Sequence, residues 1–272
     1  MPEAADTRFE HHLPSFERTA PSYDEEFETL PATARLRAIT SGTALRHFKP
    51  GGRILELNCG TGTDAVYLAE NGLSVLATDA SPAMLHEAEK KVAAKNLSSS
   101  ITLQMLPFDD LGRLDGQFDG AFSNMGGLNC TPSLQPIAKE LSRLLKPGAY
   151  LVACLLSDFC LWETFTFLLR GRIHEVFRRR ARTGVSVTLH GIPSRVYYFS
   201  PLQVTQQFFP YFRRVSVIGL NIFSPPPSFR TVYKILGQAR SVLEALDDAT
   251  GRFYPFDRLG DHFLIVLERK SV

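Results

Sequence analysis

The stretch Arg53 to Met84 reads RILELNCGTGTDAVYLAENGLSVLATDASPAM, and its apolar run Ile54, Leu55, Leu57 meets a turn carrying Gly60 and Gly62. A helical segment follows to Glu70, and a second apolar run, Leu73 to Ala77, stops at Asp79. Strand, glycine turn, helix, strand and acid follow one another as in a nucleotide-binding half-sheet. Glycines there let the backbone approach a ligand, and an acid after the second strand takes ribose hydroxyls. Asp79 stands about 20 residues beyond Gly60, the spacing such a site needs.

Reading outward, Pro50-Gly51-Gly52 is a turn before the first strand, and residues 1–50 form a helical preamble interrupted by Pro14, Pro21, Pro31 and Pro50. Towards the C-terminus, Asn71-Gly72 ends the first core helix. Pro82 to Ala94 carries Met84, Leu85, Ala88 and Val92 at helical spacing, and Ile101 to Leu106 and Phe118 to Phe122 read as strands. The segment SLQPIAKELSRLLKPG puts Leu134, Ile137, Ala138, Leu141, Leu144 and Leu145 on one face, and Ala149 to Leu156 follows as a buried strand. Alternating strands and helices predict an α/β domain, a parallel sheet covered on both faces.

Beyond Leu156 the pattern changes. Phe159 to Leu169 is an apolar helix, Arg170 to Arg182 is basic, and Val185 to Leu189 with Arg195 to Phe199 predict a hairpin across residues 190–194. Residues 158–200 therefore read as an inserted α+β lid above the sheet edge. Residues 201–272 complete the core, with a helix from Pro201 to Phe209, a strand from Val215 to Phe223, a helix from Tyr233 to Leu246 and a last strand from His262 to Glu268. The last two strands are expected to pair antiparallel.

Composition narrows the function classes. A length of 272 residues suits one catalytic unit with an insertion, and 30 lysines and arginines against 28 acids give no nucleic-acid signal. The basic run Arg170 to Arg182 reads first as a solvated helix face; its sharper readings are an anionic substrate or a membrane surface. Cys59, Cys130, Cys154 and Cys160 show neither CxxC spacing nor pairing with histidines, so reduced thiols and no metal site are expected. The polar N-terminus lacks a basic start and apolar core, and Asp158 and Glu163 break the longest apolar region, which predicts a soluble, cytoplasmic chain.

With these residues in view, the core resembles the class I S-adenosylmethionine-dependent methyltransferases of the small-molecule type. ELNCGTG is similar to the family's acid-x-G-x-G-x-G first motif, ATDASPAML to its second-strand acid and helix, FDGAFSNMGGLN to its fourth-strand motif, and LLKPGAYLV to the helix and strand beyond. APSYDEEF resembles the segment preceding many such cores, and GDHFLIVLER the last strand of small-molecule members. The resemblance covers roughly Tyr23 to Leu156, in order and spacing. It implies a doubly wound, Rossmann-like methyltransferase sheet spanning residues 51–157 and completed by 201–272, with S-adenosyl-L-methionine as cofactor and S-adenosyl-L-homocysteine as product.

The resemblance also implies site residues. Glu56, Asn58, Cys59, Gly60 and Gly62 come from the first motif. Asp79, with Ala80 and Met84, comes from the second, the acid accepting both ribose hydroxyls and Met84 packing near the adenine. Phe108 and Asp109 contact the adenine edge, and Ser123 and Asn124 lie where donor and acceptor meet. Tyr23 would face the sulfonium or the methionine carboxylate. The family prefers glycine where Asn58 stands, but asparagine tolerates positive φ better than most residues.

A hydroxyl acceptor would require a base, and His190, Tyr198 and His174 are the weak candidates. Asn124-Met125-Gly126-Gly127 lacks the two prolines and aromatic of the amino-group methylases acting on adenine or glutamine, which argues against those acceptors. Lid aromatics Trp162, Phe165, Phe167, Tyr197, Tyr198 and Phe199 suit a small hydrophobic acceptor. The alternatives are a non-catalytic binder of the cofactor or its product, and a nicotinamide-dependent oxidoreductase, whose G-x-G-x-x-G fingerprint is absent.

Overall fold

The computed structural model describes residues 13–189 and 191–271. The half-sheet forms as the sequence predicts: β1 (Arg53–Leu57), α3 (Thr63–Glu70) and β2 (Ser74–Asp79), preceded by α1 (Leu13–Thr19) and α2 (Pro31–His47). Next come α4 (Pro82–Ala94), β3 (Ile101–Met105), β4 (Phe118–Ser123), α5 (Gln135–Leu144) and β5 (Leu145–Leu156). The insertion holds α6 (Leu161–Leu169) and the hairpin β6 (Val185–Leu189) and β7 (Ile192–Val196). The chain closes with α7 (Pro201–Phe208), β8 (Phe212–Leu220), α8 (Arg230–Leu236), α9 (Arg240–Thr250) and β9 (His262–Arg269).

The main sheet runs β3-β2-β1-β4-β5-β9-β8. The first five strands are parallel, and β9 is antiparallel to both of its neighbours. Side chains on each strand alternate between two cores, as a two-residue period demands. Leu55, Leu57, Leu76, Ala121 and Leu151 join Ile137, Leu141 and Phe208 on one face. Ile54, Val75, Ala77, Phe122 and Val152 join Leu36, Ala65, Leu68 and Val92 on the other. Strand order reverses between β1 and β4, so a crevice opens beyond their carboxyl ends, where doubly wound sheets take ligands.

Three elements differ in detail from the sequence-based expectation. The hairpin's second strand is Ile192–Val196 rather than Arg195 to Phe199, because Leu189 pairs with Ile192 and the turn uses Gly191 at φ 78°. Tyr197 and Phe199 bond instead to the carbonyls of Asn129 and Leu156, tying the insertion to the core. Strand β8 starts earlier and ends at Leu220, where Asn221 turns to φ 53°. The helix expected over Tyr233 to Leu246 is split at Gly237 (φ 51°).

Arg170 to Arg182 departs further from expectation. It is not a helix face but two short 3-10 turns, Ile173–Glu175 and Arg178–Arg180. Arg179 is not solvated. Its guanidinium is buried against Asp261 and Glu163, each at 2.6 Å, and donates to the Ser157 carbonyl at 3.1 Å. All four cysteines are free, and burial pushes the Cys130 and Cys154 thiols up to about 12. Among the described residues no helix is long and apolar enough to cross a membrane.

Candidate active site

Three strand ends build one cleft. At the end of β1 the backbone turns left-handed at Asn58 (φ 50°) and again at Gly60 (φ 54°), so asparagine adopts the conformation that glycine usually supplies. Gly62 (φ 77°) then precedes α3, and a Cβ there would lie 2.9 Å from that of Ala88. This glycine lets α3 and α4 pack closely and does not line the cleft.

At the end of β2, the Asp79 carboxylate holds the turn in place. Its Oδ2 accepts the Gly60 N–H at 2.8 Å and its Oδ1 the Ser81 N–H at 2.9 Å. A carboxylate offers about four lone-pair sites, so these amide donors leave acceptor capacity for a ligand. Burial raises its pKa, while the amides of Ser81, Gly60 and Ala80 oppose that shift. Ser81 caps α4 by accepting the Met84 N–H at 3.1 Å. That places buried Met84 in the cleft wall.

At the end of β4, Ser123 is fully buried and donates to Asn58 Oδ1 at 3.0 Å. Asn124 donates to Asp64 Oδ2 at 3.1 Å and accepts the Met125 N–H at 2.8 Å. Asp64, in the first turn of α3, also takes Ser41 at 2.9 Å and the guanidinium of Arg37. Behind them Glu56 is 2 % exposed, and its Oε2 has no hydrogen-bond partner among the described residues. Burial, with Asp64 and Asp79 nearby, pushes its pKa well up.

The N-terminal segment covers the front. Phe16 and Tyr23 reach the cleft. Two latches hold this segment: Glu17 accepts from Ser81 Oγ at 2.6 Å, while Asp24 takes Thr61 at 2.6 Å and Lys91 at 2.8 Å.

Of the residues singled out from the sequence, Tyr23, Asn58, Cys59, Gly60, Asp79, Met84 and Asn124 line this cleft. Glu56 and Ser123 lie directly behind it, and Gly62 and Ala80 support its turns. Phe108 is buried and Asp109 exposed, and neither lines the cleft. Among the base candidates, His190 lies outside the described residues. His174 is an exposed side chain 3.5 Å from Glu175, and Tyr198 lies under the Arg179 guanidinium, 4.7 Å from the ring centroid. Neither lines the cleft.

Arg37, Asp64, Phe16, Cys130 and the loop Met125 to Gly127 line it without having been singled out as site residues. Arg37 sits in α2 between the core positions Leu36 and Ile39, where a helical-period reading weighs only the apolar face. Asp64 reads as an ordinary acid in a first helical turn. The available signal was the glycine pair after Asn124, which marks close backbone approach.

Comparison with known proteins agrees with the fold. Residues 54–148 match the family model of a methyltransferase domain. A demethylmenaquinone methyltransferase from Symbiobacterium thermophilum is 31 % identical over 168 residues, covering 57 % of this chain and 66 % of that one. A malonyl-[acyl-carrier protein] O-methyltransferase from Enterobacter lignolyticus is 33 % identical over 137 residues, half of each chain. The chain thus spans about half to two thirds of the length of the curated relatives it matches.

Among solved structures, the DhpI complex with S-adenosylhomocysteine superposes with a TM-score of 0.62 at 18 % identity, covering 98 % of this chain and 99 % of that one. The [4+2]-cyclase SpnF gives 0.62 at 14 % identity, over 96 % and 95 %. Fold and core motifs together define a Rossmann-like, cofactor-binding α/β domain. These matches make residues 54–148 a methyltransferase domain, on the fold it shares with S-adenosylmethionine-dependent methyltransferases.

Proposed function

We propose that this protein transfers a methyl group from S-adenosylmethionine to a small hydrophobic acceptor. The observation that carries the reading is the cleft at the β1–β4 switch point, where Asp79 keeps acceptor capacity on both oxygens while fixing the Gly60 turn. In this reading Asp79 accepts the ribose hydroxyls and Met84 packs against the adenine. The orphaned Glu56 Oε2 is the sort of buried acceptor that a ligand ammonium satisfies, and Arg37, oriented by Asp64, suits a ligand carboxylate. Tyr23 offers an aromatic face to a cation. The bound cofactor supplies an electrophilic methyl group on a sulfonium, and the chain contributes alignment and exclusion of water.

A hydrophobic acceptor is supported by Phe16 and Met125 in the cleft and by the names of the quinone-methylating relatives. The insertion, residues 158–200, is the element proposed to select that acceptor. A second reading, cofactor binding without methyl transfer, is favoured by one observation. The cleft carboxylates Asp64 and Asp79 already hold protein donors, and neither His174 nor Tyr198 lines the cleft as a base.

Two measurements decide between these readings. Calorimetric titration with S-adenosylhomocysteine is expected to give one saturable site per chain, and no binding would overturn both readings. Transfer of a labelled methyl group to apolar quinols and phenols supports the first; binding without transfer across a broad acceptor panel supports the second.

A further inference from the structure

The solvent face of α6 is apolar. Phe165, Leu168 and Leu169 are 56 %, 52 % and 72 % exposed, and their i, i+3, i+4 spacing sets them side by side on one helix face. The exposed apolar surface continues past the helix with Ile173 and Phe177. Soluble chains rarely leave so many large apolar side chains together in water, and such a patch marks an interaction surface.

The charge around it has one sign. Residues 161–182 contain six arginines and two glutamates, whereas the whole chain carries a net charge of only +2. Both glutamates are already neutralised, Glu163 by Arg178 and Arg179 and Glu175 by Arg172. Arg170, Arg172, Arg180 and Arg182 are exposed among the apolar residues. The patch is also held firmly: buried Arg179 fastens it to Asp261 and Ser157, and the Arg172 and Arg178 guanidiniums lie over the Phe167 ring at 5.2 and 5.4 Å. Since α6 follows the carboxyl end of β5, the patch stands on the same side of the sheet as the cleft.

We infer that this face docks the protein on a bilayer surface rich in anionic lipids, with the apolar residues entering the headgroup boundary and the arginines meeting phosphates. Interleaved aromatic or aliphatic and basic side chains, with no free acid among them, fit that boundary. The inference does not depend on methyl transfer, because docking uses no cleft residue.

Flotation of the full-length protein with vesicles tests it in the absence of cofactor. Wild type is expected to float with equimolar phosphatidylglycerol and phosphatidylcholine and to stay behind with phosphatidylcholine alone, and salt should weaken the binding. Arg170→Gln with Arg182→Gln should lower partition into anionic vesicles by roughly 25-fold, about fivefold for each arginine. Leu168→Ser with Leu169→Ser should abolish flotation while leaving the near-ultraviolet dichroism and cofactor titration of wild type. Failure of folded wild type to float with anionic vesicles would overturn the inference. So would flotation that both variants retain, or lipid-free dimerisation that the serine variant abolishes, since that assigns the face to a second copy.

Discussion

Gly127→Ala probes the turn that Asn58 creates. A Cβ on Gly127 would lie 1.9 Å from Asn58 Nδ2 and 2.1 Å from its Cγ, far inside contact distance. The Asn58 amide cannot swing away freely, because Ser123 donates to its Oδ1 and its own backbone is held at φ 50°. Overpacking of this kind costs ~1–3 kcal/mol, and each kcal/mol lowers the midpoint of a chain this size by about 2–4 °C. In an Asn58→Gly background the obstructing atoms are gone, so Gly127→Ala should cost less than ~0.5 kcal/mol there. The four proteins form a double-mutant cycle read by denaturant unfolding, with an expected coupling of ~1–3 kcal/mol. S-adenosylhomocysteine titration supplies a second readout: the single variant should bind more weakly than wild type, because the displaced amide enters the cleft, and the double variant should recover. Additive stabilities within ~0.5 kcal/mol would refute the steric pairing.

Other substitutions address the remaining parts of the site and its support. Asp79→Ala should weaken S-adenosylhomocysteine binding by roughly 10- to 150-fold through loss of charge-assisted bonds, and unchanged affinity in calorimetry would remove Asp79 from the ribose role. Because burial raises the Asp79 pKa and the hydroxyls need the ionised form, affinity should fall as pH drops through that raised value; a profile independent of Asp79 contradicts this. Glu56 is also raised, so its buried charge destabilises the ligand-free fold above its folded pKa and not below its ordinary value of 4.5. Glu56→Gln should therefore gain stability over wild type as pH rises to neutral, yet bind cofactor less well. Arg179→Met should cost ~3–5 kcal/mol at neutral pH by removing the buried cation that Asp261 and Glu163 share. Arg179 holds Asp261 below its usual range, so the wild-type advantage should shrink as acid protonates Asp261 in the variant; a constant gap in thermal unfolding would contradict the pairing.

The parallel core was legible because its signals are local. Each apolar run is short, each turn carries glycine or proline, and the two-residue alternation needs no partner to be read. The same locality explains what escaped notice. Arg37 enters the cleft only because α2 packs across α3, and Asp64 becomes its anchor only through Ser41 and Asn124, residues far apart in sequence. Arg179 stands in a run of arginines that composition alone treats as solvated, and its partners come from α6 and from the ends of β5 and β9.

Asn58 shows how the two kinds of information combine. From the sequence, asparagine in a glycine position raises only the question of whether the turn forms, and its φ of 50° answers that locally. Its side chain has a second, non-local effect: it bonds to Ser123 and occupies the space that any Cβ on residue 127 would need. The glycine missing from the first motif is thus matched by a glycine required in the fourth-strand loop. Close approach at the switch point is preserved, but the side chain narrowing it comes from β1. If so, restoring glycine at position 58 should enlarge the cleft beside Asn124 and relax the constraint on Gly127 together, a linkage that neither residue would reveal alone.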